Sequence, residues 1–448
     1  MQAGGEGGVI VQMIMRRIDL ERGQALADEE LQRAGGPDAE VVGVAARIVD
    51  DVRERGDDAL REYTAKLDRA KVDELRVAQD EIEAAEAAVS EAFADAISAA
   101  AAAIEDFHRR QLPQSWFTTV EGGVVLGAQV TPLRRVGIYV PGGRARYPSS
   151  VLMNAIPAVV AGVEEIAMVV PPREDGSVDP HVLYAASQAG VSEVYRVGGA
   201  QAIAALAYGT ASIPRVDKIT GPGNAYVTAA KKLVVGDVGI DMLAGPSEVL
   251  VLADETAEPA FVAIDLMAQA EHDPKACTWL VTTDPTLPAE VEQALETLIP
   301  DSPRADLVRR SLTDNGRIVV APDLAGALGV VNRIAPEHLE VQMAEPFELL
   351  GSIRNAGAIF LGHWTCESLG DYIAGPNHVL PTGGTARFSS PLSVEDFVKR
   401  SSVISYSREA LEIDGPLVVE IASAEGLDSH ANAIAIRLEL PEYEDEEA

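Results

Sequence analysis

The chain has 448 residues, 47% hydrophobic and 24% charged, which is too long for one core and too apolar for a disordered chain. A formal net charge of −34 sets it against nucleic acid and anionic membrane surfaces, both of which would repel it. Its longest apolar runs, such as 156–162 and 169–172, fall far short of the roughly 20 residues a membrane span needs. The opening MQAGGEGGVI lacks the pattern of a secretion signal, so no membrane or nucleic-acid partner is expected and the expected location is cytoplasmic. Two cysteines, Cys277 and Cys366, are too few for a disulfide scaffold and are expected as reduced core or loop thiols.

In chain order, the Gly-rich first eight or so residues are expected to fray and the last ten to form an acidic tail, neither carrying chemistry. From Asp80 to about Arg110 an Ala- and Glu-rich run without Gly or Pro predicts one long helix, ending near Pro113. Between Arg135 and Leu243 the strand-like runs VGIYV, EIAMVV, EVYRV and VDKIT alternate with four helical segments, the pattern of a parallel sheet covered on both faces. A second series of SEVLVLAD, CTWLVTTD and RIVVAPD with intervening helices predicts another such unit, and the rhythm is lost after about Gly383. The expected fold class is α/β: two doubly wound, incomplete Rossmann-like parallel-sheet domains plus small N-terminal and C-terminal lobes. The expected boundaries are an arm over 1–27, one α/β domain over 28–134 with 244–382, a second over 135–243, and a lobe over 383–448 with its tail.

Three strand-to-helix junctions carry glycines: YVPGG at 139–143, RVGGAQA at 196–202 and KITGPGNAYV at 218–227. Such turns let backbone N–H groups approach a phosphate, and ligands collect where parallel strands end. None matches the GxGxxG fingerprint with its acidic residue, and glycine at such turns is common for steric reasons alone. Tyr139, Gln201 and Asn224 place polar tips there that suit a ribose or a nicotinamide.

Four of seven histidines fall in short polar segments of the second half. Gln269 and His272, three positions apart at a predicted helix end, share a face. Asp371 and His378 lie in a stretch that Gly375, Pro376, Gly383 and Gly384 should keep irregular. Glu425 and His430 precede an apolar helical run. Gln269, His272, Asp371 and His430 form a nitrogen and oxygen set without thiolate, typical of catalytic rather than structural metal sites. A lone histidine more often caps a helix or satisfies a carbonyl; four such segments favour the metal. His108 and His181 are expected at the surface, and His363 in a loop of undecided role. Glu337 and His338 follow Pro336, which should end a helix, and pair a carboxylate with an imidazole suited to proton transfer. An exposed Glu-His pair is the plain alternative.

The segments GPGNAYV, AGPSEVLVLAD, AQAEHDP, RIAPEHLEV, GDYIAGPNHVLPTGGTARFSS and EGLDSHANAIAIR together resemble the histidinol dehydrogenase family, from about Met15 to Arg437. The resemblance implies a homodimer with shared active sites and one zinc per subunit. It also implies two NAD-linked oxidations of L-histidinol to L-histidine through L-histidinal, the last step of histidine biosynthesis. It makes Gln269, His272, Asp371 and His430 the zinc ligands, His430 coming from the partner through the C-terminal lobe. Glu337 and His338 become the acid/base pair, with Glu337 activating water. Ser247, Gln269, His272, His338, Asp371, His378, Glu425 and His430 become substrate-binding, and Tyr139, Gln201 and Asn224 NAD-binding. On that reading domain 135–243 binds NAD, and the 28–134 with 244–382 domain carries the metal and acid/base residues. The stretch HWTCES before Asp371 fits the family least, which leaves Cys366 and His363 without a role. A zinc hydrolase would use the same ligands but leave the glycine turns without purpose, and a silent metal-stabilised binding protein would not need the intact Glu337-His338 pair.

Overall fold

The computed structural model describes residues 13–31, 33, 37–142 and 146–439; the Gly-rich start, the acidic tail and Gly143 of the first glycine turn lie outside them. Fourteen strands run in chain order among the described residues. They are β1 (Arg16–Asp19), β2 (Trp116–Val120), β3 (Val124–Pro132), β4 (Arg135–Tyr139), β5 (Glu165–Val170), β6 (Glu193–Arg196) and β7 (Lys218–Thr220), then β8 (Gly239–Ile240), β9 (Glu248–Ala253), β10 (Cys277–Thr282), β11 (Gly316–Val320), β12 (His338–Gln342), β13 (Ala358–Leu361) and β14 (Val398–Ser405). They form an all-parallel five-stranded sheet in the order β6-β5-β4-β7-β8 and an all-parallel six-stranded sheet in the order β1-β11-β10-β9-β12-β13. A third sheet, β14-β3-β2, is antiparallel.

Both parallel sheets are doubly wound. In each, the chain lays strands outward in one direction and then returns to the other side of the first strand, leaving switch points between β4 and β7 and between β9 and β12. Their strands are buried on both faces and therefore read as continuous apolar runs. In the five-stranded sheet, Val136, Ile138 and Val140 pack on one face with helices Pro148–Ala161 and Pro180–Gln188. Tyr139, Val169 and Ile219 pack on the other face with helices Ala39–Arg55, Gly199–Tyr208 and Ala225–Val234. The six-stranded sheet repeats the design, with Val249, Val251 and Leu280 facing helix Pro259–Ala270 and Leu250, Leu339 and Val341 facing helix Leu324–Ile334.

The chain divides into two compact units, Met1–Gln111 with Leu133–Phe397, and Leu112–Pro132 with Val398–Ala448. The first holds both parallel sheets. The second holds the antiparallel sheet and helices Arg408–Ala424 and Asp428–Leu438. Residues 383–397 belong to the first unit, where Leu392 and Phe397 enter the core beside Val136. The N-terminal residues also do more than form an arm: Arg16–Asp19 pairs with Arg317–Val320 at the edge of the six-stranded sheet.

The predicted long helix is two, Gln79–Ala88 and Glu91–Arg109, bent by 113°. Ser90 causes the break by accepting the Phe93 N–H at 3.2 Å and starting a fresh helix. His108 is not at the surface: it is fully buried, its Nδ1 donating to the Ile104 carbonyl at 2.7 Å. No single helix among the described residues is long and apolar enough to cross a membrane.

Candidate active site

Helix Leu324–Ile334 ends on Ala335 in the left-handed region (φ 51°), and Pro336 turns the chain into β12. Glu337 and His338 therefore stand at the amino end of a central strand. His338 pairs with Val249 of β9, so the pair lies beside the first residue of β9, Glu248. The Glu248 backbone holds both: its N–H donates to Glu337 Oε2 at 2.8 Å, and its carbonyl accepts from His338 Nδ1 at 3.0 Å. That second bond places a proton on Nδ1 and leaves Nε2, which has no hydrogen-bond partner, for chemistry.

Strand alternation puts His338, Glu340 and Gln342 on the face opposite Leu339 and Val341, toward helix Pro259–Ala270. Gln342 Nε2 donates to Asp265 of that helix at 2.8 Å and to Glu340 at 3.1 Å. Glu340 in turn accepts the Glu367 N–H at 2.8 Å, fixing the start of helix Glu367–Tyr372. Glu367 and Asp371, one turn apart on that helix, then close on His338. Glu367 Oε2 lies 4.0 Å from Nδ1 and Asp371 Oδ1 lies 3.7 Å from Nε2. His338, Glu367 and Asp371 each offer one ligand atom, all within 4.8 Å of one another, a spacing able to hold a metal ion. Asp371 thus sits on a short helix rather than in the irregular loop its glycine-rich surroundings predicted.

Electrostatics follow from burial and crowding. Burial pushes the Glu337 carboxyl up to about 8, against the pull of His338, and pushes Glu367 up to about 7. Burial alone would lower the His338 imidazole, yet Glu367, Glu337 and Asp371 outweigh it and raise its pKa well above the usual value. Burial alone would raise Asp371, but His338, His378 and His272 hold its carboxyl below the ordinary range.

Gln269, in the last turn of helix Pro259–Ala270, is fully buried, and neither amide atom has a partner. His272 follows at the exposed helix end. Ser247, half-buried, stands one residue before β9. His378 Nδ1 donates to the Asp371 carbonyl at 3.1 Å, and its Nε2 lies 3.4 Å from Ser150 Oγ. Ser150 lies in the first turn of the helix that follows β4, so this contact ties the acidic cluster to the five-stranded sheet. Glu425 caps the C-terminus of helix Arg408–Ala424, and His430 lies in the first turn of helix Asp428–Leu438; both are exposed on the second unit.

The glycine turns stand at the carboxyl ends of β4, β6 and β7, two of them flanking the switch point. Tyr139 is buried, and its hydroxyl accepts the Gly199 N–H at 3.1 Å. Gln201 is fully buried with both amide atoms unpartnered, and Asn224 is exposed, its Oδ1 capping helix Ala225–Val234 at 3.0 and 3.2 Å. Gly221, at φ 111°, runs so near β4 that a Cβ there would stand 2.1 Å from the Tyr139 carbonyl oxygen. Its N–H donates to Asp241 at 2.7 Å and its carbonyl accepts from Lys231 at 3.0 Å; Lys231 and Asp241 form a buried ion pair that pins the turn.

A doubly wound α/β enzyme with a buried proton-transfer cluster and glycine turns at a switch point is the class this architecture defines. The histidinol dehydrogenase family model matches residues 31–438, and the chain belongs to that oxidoreductase family. It is 54% identical over 402 residues to a histidinol dehydrogenase of Geobacter sulfurreducens, covering 89% of this chain and 94% of that one. Against the histidinol dehydrogenase of Geobacillus kaustophilus it is 55% identical over 399 residues, covering 88% and 93%. The crystal structure of histidinol dehydrogenase from Elizabethkingia anophelis superposes with a TM-score of 0.90 at 37% identity, covering 96% of this chain and 99% of that one.

Glu367 is the cluster member that the sequence reading passed over. A usable signal was present, since Glu367 and Asp371 are four apart, the spacing that puts two side chains on one helix face, although Gly370 stands between them.

Proposed function

We propose that this chain oxidises L-histidinol to L-histidine through L-histidinal with two equivalents of NAD, using one zinc per subunit and active sites shared within a homodimer. The observation that carries this reading is the chain of contacts His338–Asp371–His378–Ser150. It joins a buried acid/base cluster to the helix that follows the first glycine turn.

Gln269, His272 and Asp371 would hold the zinc together with His430 of the partner subunit. The orphaned, fully buried Gln269 amide fits a ligand role, as does the thiolate-free donor set. When bound, the metal supplies an anchor for the imidazole and amine of the substrate. In its neutral form, which the surrounding carboxylates disfavour until the pH is raised, His338 takes the hydroxyl proton on Nε2 as hydride leaves the carbinol carbon. Glu337 then takes a proton from the water that adds to the aldehyde, and the hydrate releases the second hydride. No cysteine stands among the site residues, which favours a hydrate over a thiohemiacetal. Ser247 and His378, with Glu425 of the partner subunit, would complete the substrate pocket. Tyr139, Gln201 and Asn224 would receive NAD at the switch point, with domain 135–243 as its platform. The shared site is supported by the apolar face of helix Arg408–Ala424, where Ile413, Leu417 and Ile421 are 69, 64 and 61% exposed at a helical spacing of four.

The test is NADH formed per L-histidinol consumed, before and after chelation and zinc restoration. Two NADH, lost on chelation and regained with zinc, is the expected result; one NADH would remove the water-activating role of Glu337. None with zinc bound would return the hydrolase reading. The proximity of His338, Glu367 and Asp371 favours a second metal reading, in which His338 is itself a ligand. Zinc content by mass spectrometry separates the two: Gln269→Ala loses zinc and His338→Asn keeps it on the first reading, and the reverse holds on the second.

A further inference from the structure

The glycine turns lack the acidic residue that usually receives a ribose diol at a dinucleotide site. The fold brings one from elsewhere. Helix Asp57–Tyr63 packs along helix Gly199–Tyr208, and Asp57 accepts the Ser212 hydroxyl at 2.5 Å, just past that helix's C-terminal end. From Asp57 the helical run continues through a π-helical turn, Thr64–Asp68, and spans about 17 Å, close to the roughly 15 Å of helix Gly199–Tyr208. Asp68 therefore arrives at the N-terminal end of that helix, where the turn Gly198–Gly199 begins it.

The following residues fix the same place independently. Val77 N–H donates to the Val194 carbonyl and Arg196 N–H to the Leu75 carbonyl, both at 2.8 Å, so this stretch runs antiparallel to β6. Tracing back from Leu75, residues 68–74 must lie beyond the carboxyl end of β6, the edge that carries the glycine turns. The Asp68 charge in turn helps to raise the buried Tyr139 phenol, after burial itself. Asp68 forms no hydrogen bond or ion pair among the described residues, and its Oδ2 is buried. The π-helical turn ends on Arg69 in the left-handed region (φ 58°).

We propose that Asp68 is the carboxylate that accepts hydrogen bonds from a ribose diol of the dinucleotide and makes the site select NAD over NADP. Two adjacent hydroxyls supply the donors that Asp68 lacks, and a 2′-phosphate would meet like charge at the same point. This rests on the glycine turns being the NAD site.

The test is calorimetric titration of the zinc-loaded protein with NADH and NADPH, wild type beside Asp68→Asn and Asp68→Ala. Losing charge-assisted bonds should weaken NADH about tenfold or more and bring the NADPH/NADH dissociation-constant ratio down by a similar factor. Asp68 makes no bond that the fold needs, so both variants should fold, and thermal melts check this. If the wild type binds NADH and the variants leave the ratio unchanged, Asp68 is not the selecting group. If the wild type binds neither dinucleotide, the NAD reading of the turns fails and this assignment falls with it.

Discussion

Glu337→Gln is the substitution that isolates one step. Glutamine matches glutamate in size, and its amide oxygen can go on accepting the Glu248 N–H now bonded at 2.8 Å. It also removes a buried carboxyl whose pKa burial has pushed up to about 8. The fold should therefore keep its stability to within about 1 kcal/mol. What would be lost is the base to which the proposed aldehyde step assigns the water proton. General-base transfer contributes roughly 10²–10⁴-fold, or about 3–5.5 kcal/mol of barrier. Oxidation of L-histidinal should slow by that factor while oxidation of L-histidinol slows less than about tenfold, the bound of an indirect effect on a neighbouring base. Stopped-flow absorbance of NADH from each substrate separately, with an aldehyde trap, reads the two steps, and the overall yield should fall from two NADH toward one. The wild-type aldehyde step needs Glu337 deprotonated, so it should rise with pH and level off above about 8. That limb should vanish in the variant. Equal losses in both half-reactions, or an unchanged pH limb, would refute the assignment.

Asp68→Asn should reveal a stability term of definite sign. Burial raises the Asp68 carboxyl to about 6, so the folded state is penalised when it ionises, and the wild type loses stability as pH rises from about 4 to about 6. The shift is worth roughly 3 kcal/mol, which screening at a part-exposed group cuts to about 1–2 kcal/mol. Denaturant melts at pH 4 and pH 7 should show the variant gaining that much on the wild type; a constant difference would mean that Asp68 is solvated. Leu417→Asp, on the exposed face of helix Arg408–Ala424, should yield monomers by light scattering together with loss of activity; a fully active monomer would rule out a shared site. Lys231→Met should cost about 3–5 kcal/mol by leaving Asp241 charged, buried and unpaired, and should weaken NADH binding by loosening the Gly221 turn. A melt within 1 kcal/mol of wild type would show that the pair carries little of the turn.

The βα alternation was legible because both parallel sheets are buried on two faces, which forces continuous apolar strands. The antiparallel sheet was not. Trp116–Val120 is exposed along its whole length and carries no inside-outside alternation to read, and its neighbour β3 pairs with Val398–Ser405 far along the chain. The break at Ser90 hides in an Ala- and Glu-rich run without Gly or Pro, and the cap reveals it. His108 looks like an exposed residue among Glu105, Asp106, Arg109 and Arg110, because its burial depends on Asn377, 269 positions away. Chemical residue types were readable at the site, whereas their grouping was not. Glu337 and His338 are neighbours in sequence, but Glu367 and Asp371 reach them only through the Glu340 bond that starts their helix.

Ligands of doubly wound sheets gather at the carboxyl ends of strands, and the glycine turns obey that rule. Glu337 and His338 do not, since His338 opens β12 and Glu248 opens β9, at the amino edge of the six-stranded sheet. The carboxyl edge of one sheet and the amino edge of the other are thus linked through the 3.4 Å approach of Ser150 Oγ and His378 Nε2. At that amino edge a backbone N–H and a backbone carbonyl of one residue, Glu248, are both free to orient Glu337 and His338. A substitution that shifts β9 by even one residue of register would uncouple both groups at once. Losses from Glu248 backbone displacement should therefore appear together in alcohol and aldehyde oxidation, in contrast to the split expected for Glu337→Gln.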